Sequence, residues 1–130
     1  MDIVFYEKPG CVNNTRQKVL LAQAGHEVEA HSLLEYPFSA ATLRPFFGAR
    51  PLVEWFNPSA PRLKNGEVQP CRLDETTALQ AMLADRLLIR RPLIEAGGRQ
   101  TVGFDDDIQR WLGVATFDNL EQCPKADSCD

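Results

Sequence analysis

The sequence predicts an α/β protein with a mixed sheet, and three observations carry that prediction. A short β-branched and aromatic run opens the chain and leads through a helical pattern into a second strand pattern. A glycine-turned hairpin and a last helical segment close it. Between the two halves lies a helical stretch interrupted by prolines, so the order is βαβ, helices, ββα.

Asp2 to Tyr6 forms the first strand because Ile3, Val4, Phe5 and Tyr6 favour extended backbone, and Glu7-Lys8-Pro9-Gly10 ends it with turn residues. Val12 to Ala24 suits an amphipathic helix with Val19, Leu20, Ala22 and Ala24 inward and Arg16, Gln17 and Lys18 outward, stopped by Gly25. Cys11 stands at the N-terminal edge of that helix. His26 to Leu33 alternates as a second strand, parallel to the first by the usual crossover.

In the middle, Ser39 caps Ala40 to Arg44, Pro45 breaks that segment, and Pro51 opens another short helix carrying Leu52, Val53, Trp55 and Phe56. Asn57 to Cys71, with Pro58, Pro61, Gly66 and Pro70, reads as a long surface loop. Asp74 caps a clearer helix through Asp85 with Leu79, Met82 and Leu83 on one face. Leu87 to Ile89 and Leu93-Ile94 are extended around Arg90-Arg91-Pro92, where strand alternation turns Arg90 to solvent. Gly97-Gly98 then turns the chain into a strand from Gln100 to Phe104. Asp105 caps the last helix, Asp106 to Leu112, whose early carboxylates suit the positive end of the helix dipole. Residues 1–114 are expected to form one domain and 115–130 a mobile, polar tail. This order is the layout of a thioredoxin-like domain with helices inserted in its middle.

A chain of 130 residues has length for one core rather than two. Its net charge of -4 lacks the basic footprint of a nucleic-acid binder, so no direct nucleic-acid contact is expected. No apolar run is long enough to span a membrane, and Met1-Asp2-Ile3-Val4 does not read as a signal peptide, so the expected location is the cytoplasm.

The four cysteines, at 11, 71, 123 and 129, are too irregularly spaced for a disulfide scaffold. Cys11 reads either as a small buried residue at a strand end or as a reactive thiol at a helix start. Cys71 has no evident role. Cys123 and Cys129 have no histidine nearby, so a closed zinc site lacks ligands and no metal is expected, although a tail cysteine could fold back on Cys11. His26 and His31 suit surface or strand positions, and Trp55, Trp111 and the phenylalanines suit the core.

Tyr6-Glu-Lys-Pro-Gly-Cys11 after a strand, a basic helix start at Arg16, and Leu88-Ile89-Arg90-Arg91-Pro92-Leu93-Ile94 resemble the ArsC/Spx family of thioredoxin-like proteins over residues 1 to 114. The stretch Cys11-Val-Asn-Asn-Thr-Arg16-Gln-Lys18 looks most like the nitrogenase-associated, arsenate-reductase-like branch. The resemblance implies a cis bond before Pro92 that brings Arg91 beside Cys11. It implies Cys11 as nucleophile and Arg91 as oxyanion stabiliser, with the helix-start amides of Val12, Asn13 and Asn14, together with Arg16, forming an anion site. Asn13, Asn14 and Thr15 act in this reading as caps whose amides matter more than their side chains. No bound cofactor is implied; glutathione is the co-substrate and glutaredoxin the partner of a glutathione-coupled arsenate reduction.

The chain departs from that pattern. Arsenate reductases of this type add one arginine in the central helical region and another after the hairpin, where this sequence has Trp55, Phe56 and Asn57, then Val102, Gly103 and Phe104. Arg50, Arg62 or Arg99 could substitute if the loops deliver them. Loss of charge-stabilising donors favours a second reading, a non-catalytic module binding nitrogenase or its assembly proteins. A third, an Spx-like transcriptional regulator, meets Asn14 where the Cys-x-x-Cys switch of those proteins has its second cysteine.

Overall fold

The computed structural model describes residues 1–114; the expected tail, with Cys123 and Cys129, lies outside the described residues. Strand β1 (Asp2–Glu7) leads into helix α1 (Val12–Gln23) and strand β2 (Glu27–Ser32). Helices α2 (Ala40–Leu43), α3 (Pro61–Lys64) and α4 (Glu75–Ala84) follow, joined by 3₁₀ turns over Arg44–Phe47, Leu52–Trp55, Pro70–Arg72 and Arg86–Leu88. The hairpin β3 (Leu93–Ala96) and β4 (Arg99–Val102) and helix α5 (Asp106–Leu112) complete the expected βαβ, helices, ββα order. The four strands form one mixed sheet in the order β2-β1-β3-β4, with β1 parallel to β2 and antiparallel to β3. Among the described residues no helix is long and apolar enough to cross a membrane.

Because β1 alternates, it feeds two cores. Ile3 and Phe5 join Ile94 and Ala96 against Leu21 of α1 and Ile108 and Leu112 of α5. Tyr6 joins Leu93 and Val102 on the other face, under Leu43, Phe46, Phe47, Trp55, Met82 and Leu88 of the inserted helices. Full burial of each such side chain contributes roughly 1.5–3 kcal/mol. Trp55 stacks on Phe47 with ring centroids 4.6 Å apart, and its indole N–H donates to the Arg50 carbonyl at 2.9 Å.

Several local expectations change. The inward face of α1 is Asn13, Asn14, Gln17 and Leu21, not the predicted apolar set, while Val19 is 51% exposed and Gln17 fully buried. The helix is phased by Leu21 together with the Asn14–Gln17 pair, and these positions follow the same 3-4 spacing as an apolar stripe would. The predicted loop from Asn57 to Cys71 contains α3, because Pro61 sits at its first turn and Ala60 is buried beneath it. Leu87 and Leu88 lie in a 3₁₀ turn rather than a strand, since the Asp85 side chain accepts the Leu87 N–H at 3.1 Å and closes the turn. Ile89 alone stays extended there, bridged to Phe56.

Asp105 caps α5 by accepting the Ile108 N–H at 3.1 Å and pairs with Arg50 at 2.8 Å. Burial pushes its carboxyl up, but the Arg50 hydrogen bond, the Ile108 amide and the charges of Arg50 and Arg90 outweigh it and hold the pKa below the usual carboxylate range. Such a group stabilises the fold above the unfolded-state pKa and loses that contribution as pH falls through the folded-state value. Asp105→Asn keeps a capping oxygen but loses the charge facing Arg50, and is therefore expected to cost about 1 kcal/mol or less at neutral pH, with the difference from wild type closing below the ordinary carboxylate range. Urea titrations across acid pH read this directly.

Candidate functional site

The site starts from a turn. Lys8-Pro9-Gly10-Cys11 folds so that the Cys11 N–H donates to the Lys8 carbonyl at 3.0 Å, with proline at the second position and Gly10 at φ 84 in the third. That pattern fits a type II turn, and the positive φ is why glycine stands there. The Lys8 N–H then donates to Oδ1 of Asn14 at 3.1 Å, and Nδ2 of Asn14 donates to Gln17 Oε1 at 2.9 Å. Asn14 is 1% exposed, so its side chain ties the turn to the helix from inside. The expectation was that its amide matters more than its side chain; the side chain has a structural part beside the amide. Lys18 reaches back to Glu7 at 2.9 Å across the same junction.

Cys11 is the N-cap of α1 and is half-buried. Its neutral thiol makes no capping hydrogen bond, whereas the thiolate faces the amides of Asn13 and Asn14. Burial pushes the thiol up, but the Asn14 amide, the hydrogen bond and charge of Arg91, and the Asn13 amide together bring it below its ordinary range. Arg91 is half-buried, Pro92 is buried, and the peptide between them is cis. Cys71 is disulfide-bonded rather than without a role, which leaves Cys11 as the free thiol among the described residues.

Not every candidate converges. Cys11, Asn13, Asn14 and Arg91 meet at the sulfur, whereas Val12 is 70% exposed and Arg16 lies on the outer face of α1 with Thr15, Val19, Leu20 and Gln23. Arg50 is bound to Glu54 and Asp105, Arg62 to Glu67 and Asp85, and Arg99 packs over the Trp111 ring. None of these three is among the groups acting on Cys11. Trp55 and Phe56 are core residues, and Asn57 is buried with Nδ2 donating to the Leu87 carbonyl at 3.3 Å. Among the described residues, no three His, Cys, Asp or Glu side chains are placed to hold a metal ion.

Arg90 was expected to face solvent, but it is half-buried. Its backbone N–H donates to the Trp55 carbonyl at 3.0 Å and its Nη1 donates to the Glu54 carbonyl at 3.2 Å. Its guanidinium also lies over Gly103, where an added Cβ would stand 2.8 Å from it. These ties hold the segment on the inserted helices, which is a tertiary effect that strand alternation does not carry. The Gly103 N–H in turn donates to the Pro92 carbonyl at 2.8 Å. The side chains of Asn14, Gln17 and Arg90 are the supports that sequence reasoning missed. The first two had a signal, amide side chains at i and i+3 behind a Pro-Gly turn.

Arg91→Ala is expected to raise the midpoint of Cys11 alkylation with pH, because the thiolate loses both a donor and a positive charge. Iodoacetamide rates from pH 5 to 10 measure it, and an unmoved midpoint overturns the assignment. Asn14→Ala strips the Lys8 N–H of its acceptor and is expected to destabilise the fold by about 1–3 kcal/mol in urea unfolding.

The model describing the ArsC family matches residues 54–110. A Rhodospirillum rubrum protein, "Uncharacterized 15.7 kDa protein in draG 3'region", is 52% identical over 126 residues, covering 95% of this chain and 88% of that protein. Bacillus subtilis YusI is 29% identical over 82% of this chain and 94% of its own. Two solved structures share the fold at 20% identity: an ArsC family related protein from Bacteroides fragilis, described as putative, has TM-score 0.72 over 86% of this chain and 99% of its own. An arsenate reductase from Vibrio cholerae has TM-score 0.71 over 88% and 98%. With its mixed sheet, inserted helices and N-capping Cys11, the chain belongs to the ArsC family and has the thioredoxin-like fold of that family.

Proposed function

We propose that this protein is a thiol-dependent oxidoreductase of ArsC type, coupled to glutathione and glutaredoxin, in which the Cys11 thiolate is the nucleophile. The observation that carries this reading is the placement of Cys11 at the N-cap of α1, where the Asn13 and Asn14 amides and Arg91 meet its sulfur and favour the thiolate against the effect of burial. One guanidinium and two helix-start amides suit a monoanion such as a glutathione carboxylate better than a multiply charged arsenate. In thiol–disulfide exchange, Cys11 Sγ attacks the sulfur of a glutathione mixed disulfide, forms its own mixed disulfide and releases the substrate thiolate. Glutathione or glutaredoxin then attacks that bond and returns the thiolate. Each missing oxyanion donor costs about 3 kcal/mol, or about 100-fold in rate, so arsenate turnover is expected to be slow and disulfide exchange faster.

A glutaredoxin-coupled assay with arsenate and with a glutathione mixed disulfide tests this on wild type and Cys11→Ser. The expected result is disulfide turnover that Cys11→Ser abolishes. Equal rates for the two proteins on both substrates, with Cys11 alkylation inflecting in the ordinary thiol range, would overturn it.

The pairing of Arg50 and Arg62 with carboxylates favours a second reading, a module that keeps the fold to bind nitrogenase or its assembly proteins. The draG-flanking gene position of the Rhodospirillum rubrum relative supports the nitrogen-fixation association. Affinity capture from nitrogen-fixing cells that retrieves neither nitrogenase nor an assembly factor counts against it.

A further inference from the structure

The outer stripe of α1 starts at the residue after Cys11. Val12 is 70% exposed, Val19 is 51% exposed one heptad on, and Thr15, Arg16, Leu20 and Gln23 complete the stripe and border a hollow of about 320 Å³ beside Val19. The stripe holds no carboxylate, and Arg16, unlike Arg44, Arg50, Arg62 and Arg110, ion-pairs with no described residue. An apolar row around an unpaired cation, continuous with a thiol, suits a reactant that carries apolar and acidic groups beside its own sulfur. Reach decides which kind. Val19 lies about 12 Å along the helix from Cys11 and Arg16 about 7 Å, whereas a glutathionyl group on the Cys11 sulfur extends about one residue, roughly 3–7 Å, to either side. An extended polypeptide reaches Arg16 with the second residue from its cysteine and Val19 with the fourth. Cys71 takes no part in the exchange. It is disulfide-bonded in the Pro70–Arg72 turn, between Val68 and Leu73, which pack into the core on the opposite face of the sheet from α1. With Asn14 three residues past the free Cys11, no described thiol is placed to resolve a mixed disulfide there, so an external thiol must do so.

We infer that the substrate of Cys11 is an S-glutathionylated polypeptide seated along α1, with an acidic residue against Arg16 and an apolar residue against Val19. This inference rests on the thiol-reductase reading and names its substrate class. The Cys11 thiolate attacks the glutathione sulfur, so the bond between Cys11 and glutathione forms as the bond between glutathione and the polypeptide breaks, and the polypeptide leaves as its thiolate. A second glutathione thiolate then attacks the glutathione sulfur held on Cys11, which gives glutathione disulfide and returns the Cys11 thiolate. The polypeptide cysteine is reduced and two glutathione sulfurs end as one disulfide, so electrons balance without a further reductant. Binding along α1 holds the leaving cysteine beside Cys11 during the first step and is not needed for the second.

Turnover by the full chain with glutathione as the only reductant tests it. Three substrates are compared: the mixed disulfide of glutathione with 2-mercaptoethanol, and two glutathionylated pentapeptides, Cys-Gly-Asp-Gly-Leu and its reverse, since the chain direction along α1 is open. Val19 and Arg16 are exposed, so the fold tolerates Val19→Asp and Arg16→Glu. In wild type one peptide is expected to exceed the small disulfide in kcat/KM by about tenfold or more. Val19→Asp removes about tenfold of that advantage while leaving the small disulfide and the midpoint of Cys11 alkylation unchanged. Arg16→Glu lowers kcat/KM for the same peptide several-fold, and replacing its aspartate with lysine restores it. Equal kcat/KM for peptides and small disulfide in wild type overturns the inference and leaves the reductase reading standing. So does a peptide preference that Val19→Asp leaves intact, or a Val19→Asp defect seen only when glutaredoxin is added, which gives the stripe to glutaredoxin. Turnover of every substrate that survives Cys11→Ser overturns both.

Discussion

The hydrogen bond from the Lys8 N–H to the buried Asn14 side chain is the contact on which the site depends. It joins the end of β1 to the first turn of α1 without a water or a flexible surface group between them. The helix axis, the direction of its unpaired amides and the position of its N-cap follow from that junction. A buried amide left unsatisfied costs roughly 1–3 kcal/mol, so the rotation of α1 that satisfies Asn14 and Gln17 is favoured over one that buries Val19. The polar pair thus sets which side of the helix faces the core, and the exposed valine row is its direct result. Cys11 has a lowered pKa because the amides at the helix start cannot turn away from it.

The positive charge of this acidic chain is distributed with the same selectivity. Arg44 and Arg99 lie over indole rings, Arg86 donates to the Leu33 and Tyr36 carbonyls, and Arg50 and Arg62 each meet two carboxylates. Exposed pairs of this kind add little stability, about 0–1 kcal/mol each. Their larger effect is to commit cations elsewhere, so that Arg91 is the guanidinium acting on the sulfur. A site with one such group and a few amides is matched to single negative charges and to the modest charge development of sulfur exchange.

Much of this was legible in the sequence. The βαβ opening, the Asp74 and Asp105 caps, the Gly97-Gly98 hairpin and the placement of Cys11 at a helix start all rest on local rules that survive folding. Less visible were features set by tertiary contact. The phase of α1 was misread because apolar periodicity assumes that polar side chains face water, and here Asn14 and Gln17 find partners inside. The placement of Arg90 was misread for a similar reason, since its ties run to Trp55, Glu54 and Gly103, which are distant in sequence. At the site, the Cys11–Arg91 encounter required the family resemblance, because no local pattern joins residues eighty positions apart.

The packing at Gly103 couples that position to Arg90. Its φ of +87 disfavours any side chain, and the space above its Cα is filled by the Arg90 guanidinium at 2.8 Å from where a Cβ would stand. A side chain there is strained by the positive φ and also displaces the end of the Arg90 side chain. Arg90 would first have to vacate the space, and its own contacts to Glu54 would be lost with it. Any residue placed at 103 thus has two adjustments to meet at once, a left-handed backbone and a displaced guanidinium, and the second reaches through Glu54 into the inserted helices.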